Sequence, residues 1–429
     1  MGFEVKSIGE VCSVGDGAHS KVTRVETGIP YLTSKNIGQG FLKLDKLDYI
    51  SEESFEKLFS KDSKATRRPQ AGDVLFGIIG SFGNTYLYKE SDFFGFSSSI
   101  GILRPNPELL DSEYLYYVVS SKKFRDNHAN HNSGSVQGYT NIPTVKGLPL
   151  PVPSIAVQKK IAKVLQSLDR KIAVNQQTNQ TLEAMAQAIF KSWFVDFDPV
   201  KAKMRGEQPE GMDEATASLF PEKLVESELG LIPDGWAVGT LSDVAKYCSA
   251  RTSIDGVTVE NYISTENMLA DKKGVTAASK LPTAKTIAAY KTGDILVSNI
   301  RPYFKKIWLA EGNGGRSNDV LGFESSAPNT DSFLMNLLYQ DSFFEYMTRT
   351  SKGAKMPRGD KTAIMNWEMA VPPVELREAF STIVDKFYKL IPQNRAQNET
   401  LESLRDTLLP KLLSGEIELG QAQELAEVE

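Results

Sequence analysis

The sequence predicts an α/β protein: two mixed α/β domains in tandem repeat, separated by two long helices that pair as an antiparallel coiled coil. Three observations carry that expectation. The chain repeats itself with a period near half its length, each copy opens with short apolar runs punctuated by Gly and Pro, and each copy closes on an unbroken heptad seam. At 429 residues the chain exceeds one ordinary domain, and with 41% hydrophobic residues it can bury several cores.

The repeat lies at framework positions. Gly2-Phe-Glu-Val-Lys-Ser-Ile-Gly-Glu-Val11 resembles Gly235-Trp-Ala-Val-Gly-Thr-Leu-Ser-Asp-Val244, and Gly28-Ile-Pro-Tyr-Leu-Thr-Ser-Lys-Asn-Ile37 aligns with Val259-Glu-Asn-Tyr-Ile-Ser-Thr-Glu-Asn-Met268. Gly72-Asp-Val-Leu75 returns as Gly293-Asp-Ile-Leu296, and Asn179-Gln-Thr-Leu-Glu183 as Asn398-Glu-Thr-Leu-Glu402. The spacing between copies falls from 233 for Gly2 and Gly235 to 219 for Asn179 and Asn398, so insertions separate the copies early and none separates them late. Each copy therefore reads as a variable globular part followed by a constrained helical part.

Within the globular parts, Ile29-Pro-Tyr-Leu-Thr and Asp73-Val-Leu-Phe-Gly-Ile-Ile read as short strands. Ser51 opens a short helix with acids in its first turn, and Ser112 is expected to cap a helix running to about His128. Pro149, Pro151 and Pro153 punctuate the boundary. The expected order is a first domain over residues 1–152, a long helix over 153–195, a connector over 196–234, a second domain over 235–372, a second long helix over 373–413 and an acidic C-terminal tail over 414–429.

The seam of the first helix runs Ile161, Leu165, Leu168, Ile172, Asn175, Asn179, Leu182, Ala186, Ile189, Trp193; that of the second runs Phe380, Val384, Phe387, Ile391, Asn394, Asn398, Leu401, Arg405, Leu408, Leu412. Such a seam requires a partner, and the economical one is the other copy. Paired antiparallel about their midpoints, the helices bring Asn175, Asn179, Asn394 and Asn398 together as a register-fixing polar layer; the alternative is a wet, splayed seam at that level.

Several classes of protein are disfavoured. No uncharged apolar run of membrane-spanning length occurs, and Met1-Gly-Phe-Glu-Val-Lys lacks the apolar core of a signal peptide. The two cysteines, Cys12 and Cys248, allow neither a disulfide framework nor a Cys-based zinc site and point to a cytoplasmic protein. The three histidines, His19, His128 and His131, all lie in the first copy, so no function shared by both copies rests on them; His128 and His131 are expected on a polar surface, and no metal site is expected. Phe76-Gly-Ile-Ile-Gly-Ser-Phe-Gly83 invites a nucleotide-loop reading, but its counterpart, Val297-Ser-Asn-Ile-Arg-Pro-Tyr-Phe304, has no glycine.

Trp193-Phe-Val-Asp-Phe-Asp-Pro-Val200, Pro209-Glu-Gly-Met-Asp213 and Glu226-Ser-Glu-Leu-Gly-Leu-Ile-Pro-Asp-Gly-Trp236 resemble the central segment of the specificity (S) subunits of type I restriction–modification systems. The Pro-rich strand end leading into Gln158-Lys-Lys-Ile161 and the order of domains and helices resemble that family too. The resemblance implies two target recognition domains, each reading half of an asymmetric bipartite DNA site, and a coiled coil that fixes the spacer. It also implies two methyltransferase (M) partners and restriction (R) partners, with S-adenosylmethionine, ATP and Mg2+ bound by those partners and none by this chain. The Asn/Asp-Pro-Pro-aromatic motif that adenine methyltransferases share is missing here. The chain is thus expected to be no enzyme. The rival readings are a coiled-coil adaptor binding only proteins and a stand-alone methyltransferase.

Basic residues interleaved with aromatic and polar ones suit phosphate and base-edge contacts. In the second copy these are Arg301, Tyr303, Lys305 and Lys306, then Lys352, Lys355, Arg358 and Lys361. In the first they are Lys35 and Asn36, then Ser133, Ser135, Gln137 and Tyr139. Phe190, Trp193 and Phe194 are expected either to pack at the helix end or to dock a methyltransferase.

Overall fold

Short apolar runs bounded by turn formers build each sheet, and the two sets of runs build the same one. In the computed structural model, which describes residues 3–63, 65–131, 139–414 and 416–428, the chain divides into two units, Met1–Asn175 with Ala396–Glu429 and Gln176–Arg395. The first unit holds an antiparallel sheet in the order Cys12–Asp16, Ile100–Pro105, Val74–Gly77, Thr85–Leu87. A second sheet runs Asp48–Ile50, Ile29–Leu32, Gly95–Phe96, its last pair parallel. The second unit repeats the order as Ala245–Tyr247, Val320–Ser325, Ile295–Ser298, Ile307–Leu309. Its other sheet runs Arg251–Ser253, Thr286–Tyr290, Gly314–Arg316, Tyr262–Ile263, again ending on a parallel pair.

The repeated Gly-Asp motif is the turn that enters each central strand. Gly72 sits at φ +88 and its N–H donates to the Tyr88 carbonyl at 2.9 Å; Gly293 sits at φ +90 and donates to Ala310 at 3.0 Å. Only glycine takes that backbone conformation without strain. The neighbouring Asp73 carboxylate accepts from the Gln70 N–H at 2.8 Å and is held on both oxygens by Arg104 at 2.8 Å. Asp294 accepts from the Lys291 N–H at 2.9 Å in the same way.

The helix expected to start at Ser112 is two helices. Asp111 caps Ser112–Ser120 by accepting from the Tyr114 N–H at 3.0 Å. Ser121 then donates to the Val118 carbonyl at 2.7 Å and accepts from the Phe124 N–H at 3.2 Å, so one hydroxyl closes the first helix and opens Lys122–Asn130.

The long helices are Ile155–Phe194 and Val374–Ser414. In the first unit, Ile161, Leu165, Leu168 and Ile172 share one core with Leu401, Leu408 and Leu412, together with Tyr114, Leu115 and Val118. The helix halves there run antiparallel. Arg405 donates to Asp169 at 2.8 Å, and further along Asn175 Nδ2 donates to Asn398 Oδ1 at 2.9 Å. Asn398 Nδ2 reaches the Ile172 carbonyl at 3.5 Å. In the second unit, Asn394 Nδ2 donates to Asn179 Oδ1 at 2.8 Å, and Asn179 Nδ2 reaches the Ile391 carbonyl at 3.4 Å.

Two segments are ordered by packing, the first in one of the two ways expected of it. Phe190 and Trp193 are buried and Phe194 is half-buried, in an aromatic core of the second unit with Phe220, Trp236, Phe333 and Phe380. Ring centroids lie 5.0 Å apart for Phe194 and Phe333, 5.2 Å for Trp193 and Phe220, and 5.7 Å for Phe190 and Phe380. These rings close a core of the second unit. The expected acidic tail contains a helix, Leu419–Val428, whose Ala422 and Ala426 are buried in the core of the first unit. A spacing of four puts both small residues on one face.

Replacing Asn175, Asn179, Asn394 and Asn398 together by Leu should raise the unfolding free energy by about 1–4 kcal/mol, because buried polar pairs give way to apolar packing. The same change should yield more than one oligomeric species in light scattering, because the specifying groups are gone. A less stable variant that stays a single species would show that these amides do not set the register.

Candidate nucleic-acid interface

In the first unit the chain leaves strand Val74–Gly77 through a tight turn. Gly80 and Gly83 sit at φ +83 and +78, and the Phe82 and Gly83 amides donate to the Gly80 and Gly77 carbonyls at 2.8 and 2.9 Å. The Asn84 amide donates to Ser81 at 3.4 Å. These amides point inward, so the glycine-rich run does not present them to a phosphate. Beside this turn, Tyr139 pairs with Ile79 and the Thr140 N–H donates to the Ile78 carbonyl at 3.0 Å. Tyr139 is exposed. Ser133, Ser135 and Gln137 lie outside the described residues.

A third segment completes the group. The turn Ser34–Asn36 is fastened to the same place by Ser34, whose hydroxyl donates to the Ile79 carbonyl and whose N–H donates to Ser99 Oγ at 3.0 Å. Lys35 is exposed. Asn36 is not available for reading bases. Its Oδ1 accepts from the Thr33 N–H at 2.9 Å and the Thr33 hydroxyl at 3.1 Å, and its Nδ2 donates to the Lys43 and Lys46 carbonyls, both at 3.1 Å. It shapes the turn.

His128, expected on the surface, is 1% exposed. Its ring stacks on Phe82 at 4.1 Å and meets Phe76 edge-on at 5.7 Å. Neither ring nitrogen has a hydrogen-bond partner among the described residues. Burial pulls its pKa down to about 4, with His131 adding to the effect. His128 is therefore a neutral prop beneath the turn.

In the second unit the two basic clusters form one surface. The Arg301 N–H donates to the Pro357 carbonyl at 2.8 Å, the Gly359 N–H donates to the Asn299 carbonyl at 3.1 Å, and Ile300 pairs with Arg358. Lys352 and Arg358 exchange backbone hydrogen bonds at 2.8 and 2.9 Å, closing a loop whose Lys355 and Met356 are exposed. The turn Pro302–Phe304 is flanked by Arg301 and Lys305, both at φ 50. It presents Tyr303 and Phe304, 48% and 38% exposed, with ring centroids 4.8 Å apart.

Three of the cations there, Lys305, Lys352 and Arg358, are paired with acids that the sequence did not single out. Lys305 lies 2.9 Å from Asp341, which Lys272 also meets at 2.8 Å. The hydrogen bond to Asp341 holds the Lys305 pKa above its usual value, and those from Lys272 and Lys305 hold Asp341 below its own. Arg358 lies 3.2 Å from Asp319, and Lys352 pairs with Asp360. Lys306 is half-buried, its ammonium donating to the Thr265 carbonyl at 2.6 Å, and burial lowers its pKa. Among the described residues Arg301, Lys355 and Lys361 make no ion pair, and Lys361 is exposed. No sequence signal marks Asp319, Asp341 or Asp360, because each is joined to its cation only by the fold.

Each unit thus carries, at one end of its four-stranded sheet, three loop segments stitched side by side, the third in the second unit being the turn at Thr265 that receives Lys306. They bear Lys35 and Tyr139 in the first unit and the basic cluster with Tyr303 in the second. The chain is of a class with two such loop-bearing units in tandem. Residues 1–184 match the model of the type I restriction modification DNA specificity domain. The chain is 27% identical over 414 residues to the HindI type I restriction enzyme specificity subunit of Haemophilus influenzae, covering 82% of this chain and 88% of that one. It is 28% identical over 450 residues to the MjaIX specificity subunit of Methanocaldococcus jannaschii, covering 97% and 93%. Among solved structures, a type I restriction–modification system S subunit from M. genitalium shares the fold, with a TM-score of 0.51 at 15% identity over 96% of both chains. The chain is thus similar along most of its length to specificity subunits of type I restriction–modification systems, and its first 184 residues match their DNA specificity domain.

Burial of His128 makes the first unit acid-sensitive. An unfolded histidine takes its proton near pH 6.5, whereas the folded one resists until about pH 4. The contribution to stability is whole above pH 6.5 and is lost as pH falls from there to 4, by about 3 kcal/mol. In thermal melts, wild type should therefore lose stability relative to His128→Leu as pH falls over that window. Parallel curves would mean that the imidazole is not held neutral.

Proposed function

We propose that this chain is the non-catalytic DNA-reading subunit of a type I restriction–modification complex, with each unit reading one half of an asymmetric bipartite site. The observation that supports it most is the duplication of the three-segment surface on two copies of one sheet, with different side chains in each copy. A fixed frame with variable loops is what two readers of different sequences require. Lys35 and Tyr139 in the first unit, and Arg301, Tyr303, Lys305, Lys306, Lys352, Lys355, Arg358 and Lys361 in the second, are the proposed contacts. Asn175, Asn179, Asn394 and Asn398 are proposed to hold the register of the helices.

Methyl transfer and DNA cleavage then belong to partner subunits. Two methyltransferase subunits would bind S-adenosylmethionine, and restriction subunits would bind ATP and Mg2+. The complex would work in the cytoplasm on double-stranded DNA; no described helix is long and apolar enough to cross a membrane. The adaptor and stand-alone methyltransferase readings predict, respectively, no site-selective DNA binding and binding of the methyl donor by the isolated chain.

Methylation maps of cells with and without this chain, alongside its methyltransferase, test the reading: a bipartite motif should appear only with the chain. Exchanging residues 2–150 for those of another family member should change one half of that motif and leave the other half and the spacer intact. A change in both halves would overturn the assignment of one half-site to each unit. Lys355→Ala and Arg358→Ala should each weaken binding. Where the side chain meets a phosphate, its removal should flatten the dependence of log affinity on log salt by about one unit. Where it meets a base edge, removal should cost about 1–3 kcal/mol of selectivity at one position. Unchanged affinity and selectivity in both would remove this loop from the interface.

A further inference from the structure

The turn that Asn36 shapes has a twin. Asn267 Oδ1 accepts from the Ser264 N–H at 2.6 Å and the Ser264 hydroxyl at 3.0 Å, and its Nδ2 donates to the Tyr262 and Thr276 carbonyls at 3.0 and 2.7 Å. Past the clasp the chains stay in step. The Lys43 N–H donates to the Asn36 carbonyl at 2.8 Å and the Thr276 N–H to Asn267 at 2.9 Å, while Ile37 bridges to Leu42 and Met268 to Val275. The residue before each clasping asparagine therefore occupies one and the same backbone position. It is Lys35 in the first unit and Glu266 in the second, both exposed.

Each turn is fastened beside the proposed reading surface of its own unit. Ser34 bonds to the Ile79 carbonyl, and the Thr265 carbonyl receives the Lys306 ammonium at 2.6 Å. Glu266 lines an open polar cleft of about 390 Å3 with Ser264, Asn267, Ser317 and Asp319, the last of which pairs with Arg358. A carboxylate on a surface meant for DNA is repelled by every phosphate. It is tolerated where a base offers it a donor, and the exposed donors in the major groove are the amino groups of cytosine and adenine. A lysine at the same position finds acceptors instead, the O6 and N7 of guanine.

We infer that the residue preceding the clasping asparagine is a specificity-determining position in each unit, Lys35 selecting a guanine edge in the first half-site and Glu266 an exocyclic amino group in the second. This rests on the reading of the two units as half-site readers. The clasp fixes the backbone through both amide atoms of the asparagine, so the variable side chain changes without disturbing the turn. Opposite charge at one geometric position then gives the two units different preferences on a common frame.

The test uses the full chain with its methyltransferase in cells, read by methylation maps. Glu266→Lys should replace the base preference at one position of the second half-site, and Glu266→Gln should relax that position by roughly 5- to 150-fold in relative methylation. Lys35→Glu should do the reverse at one position of the first half-site. In every case the other half-site and the spacer stay unchanged. Melting temperatures equal to wild type show that the exposed substitutions leave the turn intact. Both Glu266 variants methylating the wild-type motif with unaltered selectivity would overturn the inference while the bipartite motif itself still stands. Absence of a bipartite motif in the wild-type map would instead remove the underlying reading.

Discussion

The first unit cannot close its core without the far end of the chain. Ile161, Leu165, Leu168 and Ile172 are covered by Leu401, Leu408 and Leu412, and Ala422 and Ala426 join the same cluster. Each such side chain left in water forfeits about 1.5–3 kcal/mol. The hydrogen bond from Asn175 to Asn398 spans 223 residues of sequence. Contacts of that separation must be won against loop-closure entropy before they reward the chain. The second unit, Gln176–Arg395, is contiguous and completes itself from its own residues. It is thus the unit whose folding does not wait on distant sequence, and the first is finished only when the last helix docks.

With the cores so arranged, the sheets need only present their loops. The same strand order serves both units, and the differences gather where the chain leaves the central strand. Glycine supplies the positive φ at Gly80 and Gly83 in the first unit; Arg301 and Lys305 adopt it in the second. Left-handed backbone costs a non-glycine residue about 1–2 kcal/mol, offset here by hydrogen bonds from the Arg301 amide to Pro357 and from the Lys272 amide to the Lys305 carbonyl. Strain held at such a place is characteristic of functional loops. It keeps Tyr303 and Phe304 turned out to solvent, whereas Phe82 is drawn onto His128.

What the sequence revealed was whatever is periodic or local. The seam residues are mostly apolar at fixed spacing and the polar ones fall at matching places, so the helices and their pairing could be read directly, and the Gly-Asp turn declares itself by residue type. Asn36 is easily misread because an amide suited to adenine is equally suited to clasping a turn; the distinction lies in the carbonyls of Lys43 and Lys46, which only the folded loop brings near. His128 looks polar in isolation and is buried because Phe76 and Phe82, from the distant strand Val74–Gly77 and its turn, close over it beside Phe124 of its own helix. Phe190 and Trp193 suit docking and packing alike until Phe333 and Phe380 are placed against them. The two basic clusters of the second unit, some fifty residues apart in sequence, are not visibly one surface until Arg301 meets Pro357.

The distribution of charge explains how a chain of net charge −5 can serve the proposed role. The proposed contacts Lys305, Lys352 and Arg358 stand against Asp341, Asp360 and Asp319. Exposed ion pairs of this kind contribute about 0–1 kcal/mol and are screened by salt, so exchanging a carboxylate for a phosphate is cheap once DNA is in place. Before that, the acids mute the field that would draw the surface to any duplex. Non-specific affinity, which is almost wholly electrostatic, falls more than specific affinity, which also draws on base edges. On this account the paired acids lower the background against which the loops discriminate, and an acidic protein becomes the more selective reader for carrying them.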